Sequence, residues 1–410
     1  MKTEKEIIAQ IFRNEFSKMV ALMSKLFGLQ YIEIAEDIVS QTFLIATETW
    51  DKKGIPENPT GWLYTVAKHE AHRYFKRNKV LREKIIPELK ITQVEKTEVI
   101  DLNFSTENIK DSQLQMMFAI CNPVIVNEAQ IGLALRILCG FGIDEIAESF
   151  FTNKETINKR LFRAKEKLRN EKINLEMPQD NEIKDRLDTV LHIIYLLFNE
   201  GYYSVTQNQV LRKELCLEAL RLGIMLIEYD KTNLPKTNAL IALMCFHSSR
   251  FAARQGPDNF QILYEQQNKD LWDKNLINQG NYFLNNSAQG EEVSSYHLEA
   301  RIAYIHCLQD GETEKWEKIL QLYNQLLQVN YSPSVALNRT YALYKVSGAK
   351  IALVEAEKLK LENNHFYFTL LGELYKKTDS QKARINFLKA HDLAKSQSDK
   401  ETLLKKINAL

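Results

Sequence analysis

The sequence predicts an all-α fold, with two small helical domains followed by a longer series of helical repeats. Glycine and proline are scarce, at 14 and 8 of 410 residues, whereas sheets and long loops need many turn-forming residues. Apolar residues recur at intervals of three and four along most of the chain, which is the spacing of amphipathic helices. In the C-terminal half, helical segments return every ~30–36 residues, a period typical of stacked helix pairs.

Composition and net charge indicate what class of protein to expect. Apolar residues make up 45% of the chain and charged residues 26%, so we expect a globular protein of two or three domains. The net charge is only +1, so any nucleic-acid surface has to be local. The charged N-terminus has no signal-peptide core, and apolar runs are shorter than the ~20 residues of a membrane span. We therefore expect a cytoplasmic protein without a membrane partner.

Residues 4–80 read as a compact helical domain that ends in a basic, aromatic segment. Residues 62–84 carry seven lysines and arginines and two glutamates, with four aromatic residues among them. Cations neutralise phosphates and ring faces stack on unpaired bases, so this mixture indicates capture of single-stranded nucleic acid. The alternative is that the rings belong to the core. For Trp62 and Phe75, burial in the core and contact with nucleic acid are equally expected. For Tyr64 and Tyr74, burial in the core is the favoured interpretation.

Residues 81–110 have weak periodicity and read as a linker. Residues 111–172 form the second predicted domain, in which Pro123 separates two helices and Gly140 ends the second.

The end of this domain, residues 142–172, reads as two helices joined by a tight turn. Thr152 and Glu155 have the spacing of a capping box at the start of the second helix. That helix places apolar residues on one side (Ile157, Leu161, Ala164 and Leu168) and basic or hydrogen-bonding residues on the rest. A solvated surface helix would explain the charges alone. The cap and the abrupt restart favour a helix–turn–helix that binds the DNA major groove.

The sequence contains no pattern that predicts catalysis, a metal site or a cofactor. The five cysteines are far apart and the eight histidines are scattered. There is no CxxC, HExxH, GxSxG or glycine-rich phosphate loop. We expect reduced core thiols, no metal ligands and no catalytic residues.

Three blocks in order carry a family resemblance. AEDIVSQTF, NPTGWLYTVA and the helix–turn–helix resemble the two DNA-binding domains of RNA polymerase sigma-70 factors, most closely the extracytoplasmic-function (ECF) group. This resemblance covers residues 4–172. The blocks DSQLQMMFAICNP, IGLALRILCGF, IYLLFNEGYYS and LWDKNLINQG resemble the subgroup with a C-terminal tetratricopeptide-like extension, here residues 181–410. One departure is Asn122, where many members have histidine.

The resemblance implies roles for particular residues. Residues 4–80 would be sigma region 2 and residues 111–172 region 4, with core RNA polymerase (its β′ clamp and β flap) and promoter DNA as partners. The β′ clamp would contact Asp37, Gln41 and Phe43. Region 2 would bind the −10 element through Asn58, in the loop 54–60 that holds a flipped base, and through Trp62, Tyr64, Lys68, Arg73 and Arg77. Region 4 would bind the −35 element through Lys154, Thr156, Asn158, Lys159, Arg160, Arg163 and Lys167.

Alternatives remain open at this stage. The chain could be a helix–turn–helix regulator that acts without polymerase, or a repeat scaffold that does not bind DNA. The extension is expected to regulate the sigma domains and to hold a protein or peptide ligand in its groove. Within it, Asn199 and Glu200 could contact the sigma domains, although a helix end capped by Gly201 is favoured. Asp270, Trp272 and Asp273 could form a ligand site, although packing and capping are favoured.

Overall fold

The computed structural model describes the chain except residues 1–3, 78–105, 151, 204–208, 255–261, 263, 309–311, 377 and 395–396. Its secondary structure is helical throughout, and the described residues include no strand. The predicted all-α class is therefore confirmed. The chain divides into two compact units, Met1–Thr232 and Asn233–Leu410. Most of the predicted linker 81–110 lies outside the described residues.

The first unit contains nine helices among its described residues. They are α1 (Glu4–Phe27), α2 (Ile32–Lys53), α3 (Pro59–Arg77), α4 (Thr106–Ile120), α5 (Asn127–Leu133), α6 (Ile143–Ser149), α7 (Lys154–Asn170), α8 (Asp180–Tyr203) and α9 (Gln209–Ile227). A π-helical segment, Ala134–Leu138, continues α5.

The N-terminal helices α1, α2 and α3 pack on one another around large buried side chains such as Phe16, Met19 and Trp50. Gly28 and Gly54 end the first two helices with φ angles of 89° and 78°. Glycine adopts these positive φ angles without the steric penalty of a β-carbon. Helix α1 also packs on α4 and on the π segment, so the two predicted domains share α1 as a packing surface.

Helices α8 and α9 belong to the first unit, although the predicted extension begins at residue 181. They pack on each other and on α4 and α5. The Arg186 guanidinium donates a 2.7 Å hydrogen bond to the Phe118 carbonyl. The Arg221 guanidinium donates one of 2.7 Å to the Leu138 carbonyl. Each arginine satisfies a carbonyl at the end of a helical segment, where no intrahelical donor is available.

Helix α8 runs through the FNEGY segment, residues 198–202, and ends at Tyr203. The described glycines with positive φ do not include Gly201, so the prediction that it caps a helix end was wrong. Phe198 and Tyr202 stack with their ring centroids 5.6 Å apart. The Glu200 side chain is partly buried, which raises the pKa of its carboxyl group.

The second unit contains ten helices among its described residues. They are α10 (Pro235–Ser248), α11 (Phe251–Arg254), α12 (Lys274–Ser287), α13 (Ser295–Cys307), α14 (Glu312–Val329), α15 (Pro333–Ser347), α16 (Ala349–Leu359), α17 (His365–Tyr375), α18 (Ser380–Leu393) and α19 (Gln397–Asn408).

Helix α13 packs on α10 as well as on its neighbours in the chain, and from α14 onward each helix packs mainly on its neighbours in the chain. Separate apolar clusters form along this part, around Trp316, Tyr367 and Phe387. A series of local cores is the packing expected of stacked helix pairs. At the start of the unit, Trp272 is buried and the Asp273 carboxylate accepts the amides of residues 275 and 276 at the start of α12. This favours the packing and capping interpretation of that segment.

Candidate nucleic-acid interface

The Asn58 side chain caps the start of α3. The Gly61 amide donates a 2.9 Å hydrogen bond to the Asn58 side-chain oxygen. A β-carbon at residue 61 would lie 2.7 Å from the side-chain nitrogen Nδ2 of Asn58. Glycine at this position therefore allows the Asn58 side chain to lie close to the backbone of α3. The structure therefore gives Asn58 a capping contact at the position that the resemblance assigns to base capture.

The aromatic residues of α3 divide between the core and the surface. Trp62 is half-buried, and its ring lies 5.3 Å from that of Trp50. The Tyr64 ring is 5% exposed, and its hydroxyl donates a 3.4 Å hydrogen bond to Glu15. Tyr64 was expected to contact DNA, but the structure places its ring in the core. The pKa of Tyr64 is raised mainly by burial and further by Glu15. Trp62 is thus the ring of this pair that can be reached from outside.

Basic side chains line the outer face of α3. Lys68 is partly exposed and Arg73 is exposed, although Arg73 also pairs with Glu70. Burial lowers the pKa of His72, and the nearby charges of Lys68 and His69 lower it further. The side chains of Phe75 and Arg77 lie outside the described part of the structure. Of the described basic residues, Arg73 lies on the same side of the helix as the half-buried Trp62 indole, so positive charge and an accessible ring occur together there, as single-strand binding requires.

Helices α6 and α7 are joined by residues 150–153. The N-cap of α7 is Asn153, whose side-chain oxygen accepts a 2.8 Å hydrogen bond from the Thr156 amide. The predicted capping box at Thr152 was therefore wrong by one residue. Asparagine and threonine both favour N-cap positions, so the sequence pattern alone did not separate them. At α6 only one half of such a box forms: the Glu145 carboxylate accepts the Gly142 amide at 2.7 Å, and Gly142 has no side chain to accept a hydrogen bond in return.

The two sides of α7 differ as predicted. The apolar stripe is buried, comprising Ile157, Leu161, Ala164 and Leu168. The predicted DNA-contacting residues face outward, although Arg160 is only partly exposed: Lys154, Thr156, Asn158, Lys159, Arg160, Arg163 and Lys167. Two of them make ion pairs, Lys154 with Asp144 at 2.7 Å and Arg160 with Glu128 at 3.2 Å.

The outer face of α2 carries the predicted polymerase contacts. Asp37 and Gln41 are exposed one helical turn apart, whereas Phe43 is buried and packs 4.8 Å from the Phe12 ring. Phe43 therefore lies in the core rather than on this surface. Leu44, which was not among the predicted contacts, is 52% exposed on the same helix. The signal was present, because residues 37, 41 and 44 share one helical face.

A buried ion cluster connects α2 to the second predicted domain. The Glu36 carboxylate accepts a 3.1 Å hydrogen bond from Arg136 and also pairs with Lys165 on α7. Asp37, beside it, has a raised pKa. Burial raises it most and Glu36 adds to the shift, whereas Lys165 opposes it. A groove of about 380 Å³ lies here, lined on one side by Asp37 and on the other by Asn158. The structure thus brings together residues that were assigned to polymerase and to DNA.

The cysteines, the possible metal ligands and the longest apolar helices also bear on function. All five cysteines are free thiols, and burial raises the pKa of Cys121 and Cys245 to about 12. Within the described residues, no cluster of histidine, cysteine and acidic side chains could hold a metal ion. No described helix is long and apolar enough to span a membrane.

Comparison with known families identifies the N-terminal helices. Residues 13–80 match the family model of sigma-70 region 2. This match supports an RNA polymerase sigma-70 family member. It also supports a sigma-factor-like role in transcription initiation, and it implies binding to core RNA polymerase and promoter DNA. The matched residues include α2, with Asp37 and Gln41, and all of α3.

Two further matches extend beyond the N-terminal helices. Residues 186–288 match a family of unknown function (DUF6596). An uncharacterized protein of Rhizobium meliloti (strain 1021) is 29% identical over 376 residues, which cover 90% of this chain and 88% of that protein. The match therefore covers most of the N-terminal helices and most of residues 181–410. No solved structure matches the chain.

Proposed function

We propose that this chain is a sigma factor of the ECF type. It binds core RNA polymerase in the cytoplasm, recognises −10 and −35 promoter elements and starts transcription. The observation that carries the proposal is the arrangement within residues 13–80, where exposed Asp37 and Gln41 share a face of α2 and basic α3 follows. A regulator that acts without polymerase would need neither feature.

In this proposal, α3 holds the opened −10 strand. Unpairing and unstacking a base costs a few kcal/mol, and stacking on an aromatic ring contributes about 1–3 kcal/mol per base. Trp62 supplies an accessible ring, and Lys68 and Arg73 supply cations for the backbone. Asn58 lies at the start of the same helix, so the flipped-base pocket would form beside the cap.

Helix α7 would read the −35 element in the major groove. Its apolar stripe is buried against the rest of the domain, which fixes the helix and leaves the opposite face for DNA. Asn158, Lys159 and Arg163 are exposed on that face. Asparagine and arginine both form paired hydrogen bonds with base edges, while lysine neutralises phosphates. The role of this chain is binding, and nucleotide addition belongs to the polymerase.

The extension would regulate the sigma domains and hold a protein or peptide ligand among its stacked helices. Two features support this. Helices α8 and α9 pack directly on helices of the proposed region 4, and the later helices form the local cores typical of partner-binding solenoids.

Binding to core polymerase tests the proposal. The purified chain is mixed with core polymerase and the complex is separated by size-exclusion chromatography. We expect co-elution, and we expect Asp37→Arg to weaken it strongly because the reversed charge faces the clamp. Lys53→Glu is the control, since Lys53 is exposed near the end of the same helix and lies about 160° around the helix axis from Asp37. Equal co-elution of both variants, or none with the wild-type chain, would contradict the proposal.

A further inference from the structure

We propose that one face of the second unit binds an acidic stretch of a partner polypeptide, whose carboxylates take the place of this chain's own carboxylates on two lysines. The lysines are Lys345 of α15 and Lys406 of α19. In this structure Lys345 pairs with Glu265, and Lys406 pairs with Glu373 of α17. The inference rests on the proposed function, in which the extension holds a protein or peptide ligand, and it names the chemistry of that ligand.

Lys345 lies in a site that is suited to a carboxylate. Its ammonium group is 5.6 Å from the centre of the Trp316 ring and 5.8 Å from that of the Tyr341 ring. Cation–π attraction to the two rings holds the ammonium group in position before an anion binds. The Tyr341 hydroxyl donates a 3.0 Å hydrogen bond to the same Glu265 oxygen that pairs with Lys345. A single carboxylate oxygen therefore receives one charged donor and one neutral donor here.

The Glu265 side chain can leave this site without disturbing the fold around it. It is 56% exposed, and an ion pair that is open to water contributes little to stability. The backbone beside it is held separately, because the Tyr264 hydroxyl donates a 2.7 Å hydrogen bond to the His306 carbonyl. Lys315 donates to that hydroxyl at 2.8 Å. Rotation of the Glu265 side chain therefore makes the site available to another carboxylate while the adjoining turn stays in place.

Lys406 supplies a second cation near the same site. The pKa of the Glu265 carboxyl group is lowered, mostly by the hydrogen bond from Lys345 and in smaller part by the charge of Lys406. The pKa of Tyr341 is raised mainly by burial, and the charges of Glu265 and Glu373 raise it further. Helices α15, α17 and α19 thus bring these side chains close enough for their charges to act on one another. The Lys406 and Glu373 side chains are 21% and 28% exposed, so solvent reaches this second pair too.

The charge balance of this face favours a polypeptide over a nucleic acid. Lys345 and Lys406 are matched by Glu265 and Glu373, so the charges of these four groups cancel. A nucleic acid is attracted by net positive charge and is repelled by carboxylates. A peptide with a few acidic residues can instead exchange with the internal carboxylates one for one. Asn338, exposed two turns before Lys345 on the same side of α15, adds a carboxamide that can donate to and accept from a peptide backbone.

Binding of a fluorescently labelled hexaglutamate peptide to the full chain tests the inference, with hexaglutamine as the uncharged probe. Fluorescence anisotropy measures both affinities. We expect Glu265→Ala to raise the affinity for hexaglutamate, because the competing internal carboxylate is removed. If that carboxylate occupies the site about nine-tenths of the time, the affinity rises about ten-fold. Hexaglutamine should bind neither the wild-type chain nor the variant.

Changes to the lysines test where the peptide binds. In the Glu265→Ala chain, Lys345→Gln should remove most of the gain in affinity, and Lys406→Gln should remove part of it. Lys350→Gln makes the same charge change at an exposed position on α16 and should leave the affinity unchanged. Circular dichroism shows whether each variant is folded. If Lys345→Gln is not, Tyr341→Phe removes only the hydroxyl that contacts the carboxylate, and it should weaken binding about five-fold.

A gain in affinity with Glu265→Ala that depends on Lys345 supports the inference. Equal affinity for hexaglutamate in the wild-type and variant chains would overturn it, because the peptide would then bind elsewhere. Displacement by single-stranded oligothymidine of the peptide that Glu265→Ala has gained would also overturn it, since the occupant would be a nucleic acid. The assay contains neither polymerase nor promoter DNA. Its result is therefore independent of the co-elution with core polymerase that tests the proposed sigma function.

Discussion

The Glu36 carboxylate pairs with the Lys165 ammonium group across 129 residues of sequence. One partner lies on the helix that matches sigma-70 region 2, and the other lies on the proposed recognition helix. Both side chains are largely enclosed, so the pair is screened less by salt than a surface ion pair. This ion pair therefore joins the helix proposed to bind polymerase to the helix proposed to bind the −35 element.

Trp62 and Tyr64 form a matched pair for testing strand capture. We expect Trp62→Ala to weaken binding to single-stranded −10 DNA by about 1–3 kcal/mol, because the accessible stacking surface is lost. Tyr64→Phe removes only the hydroxyl that donates to Glu15. It should lower stability by about 1 kcal/mol and leave DNA affinity unchanged. Fluorescence anisotropy with a labelled oligonucleotide measures both affinities. Equal losses of affinity in the two variants would contradict the assignment.

The cap of α7 gives a second prediction. Asn153→Ala should destabilise α7 by about 1 kcal/mol, because the Thr156 amide loses its acceptor. Thr152→Ala should have a much smaller effect, since the Thr152 side chain does not provide the cap. Thermal unfolding followed by circular dichroism compares the two variants. A larger decrease in melting temperature for Thr152→Ala than for Asn153→Ala would show that Thr152 provides the cap, as the sequence pattern predicted.

Truncation after α9 and truncation before α8 should differ in their effect on the folding of the first unit. A chain ending at Thr232 keeps α8 and α9, with the contacts of Arg186 and Arg221 to carbonyls of the first unit. We expect it to melt cooperatively. A chain ending at residue 179 loses both helices and exposes the apolar surface that they cover, so it should melt at a lower temperature and bind a hydrophobic dye. Identical melting of the two chains would contradict the assignment of α8 and α9 to the first unit.

His306 predicts acid sensitivity in the second unit. Its pKa is lowered to about 3, mainly by burial, with Arg250 and Lys315 adding to the shift. Above pH 6.5 the ring is neutral in both the folded and unfolded states. Below that pH only the unfolded state binds the proton readily, so stability falls by about 1.4 kcal/mol per pH unit down to about pH 3.

Calorimetry at pH 7 and pH 5 checks this expectation. His306→Phe keeps a ring beside Tyr264 and Trp316 and removes the titrating group. It should therefore reduce the pH dependence of the second unit. Buried His247 also has a strongly lowered pKa, so part of the dependence should remain in that variant. A variant with the full pH dependence of the wild-type chain would exclude His306 as a cause.

The sequence predicts the local features of this protein better than the long-range ones. The buried stripe of α7 follows from periodicity, because each residue's neighbours lie three or four positions away. The burial of Glu36 does not follow from its own helix, since its partners lie 100 and 129 residues away. Phe43 shows a related limit. A resemblance places it near the polymerase contact, whereas packing against Phe12 decides its burial.

Helix ends show a similar limit. Gly201 looked like a stop signal, yet α8 continues to Tyr203 because packing against α9 outweighs the low helix propensity of one glycine. The same packing explains why the first compact unit ends at Thr232, about 50 residues beyond the boundary expected from the change of motif.

Run-off transcription with purified core polymerase, on promoters selected from genomic DNA by the reconstituted complex, tests whether this chain acts as a sigma factor. We expect promoter-specific transcripts with the wild-type chain. We expect their loss when Lys159→Glu and Arg163→Glu reverse the charge of the exposed face of α7. Glu166→Gln, an exposed change on the same helix, should leave the transcripts intact. This role would be contradicted if the wild-type chain gave no transcripts, or if the charge-reversed chain gave the same ones.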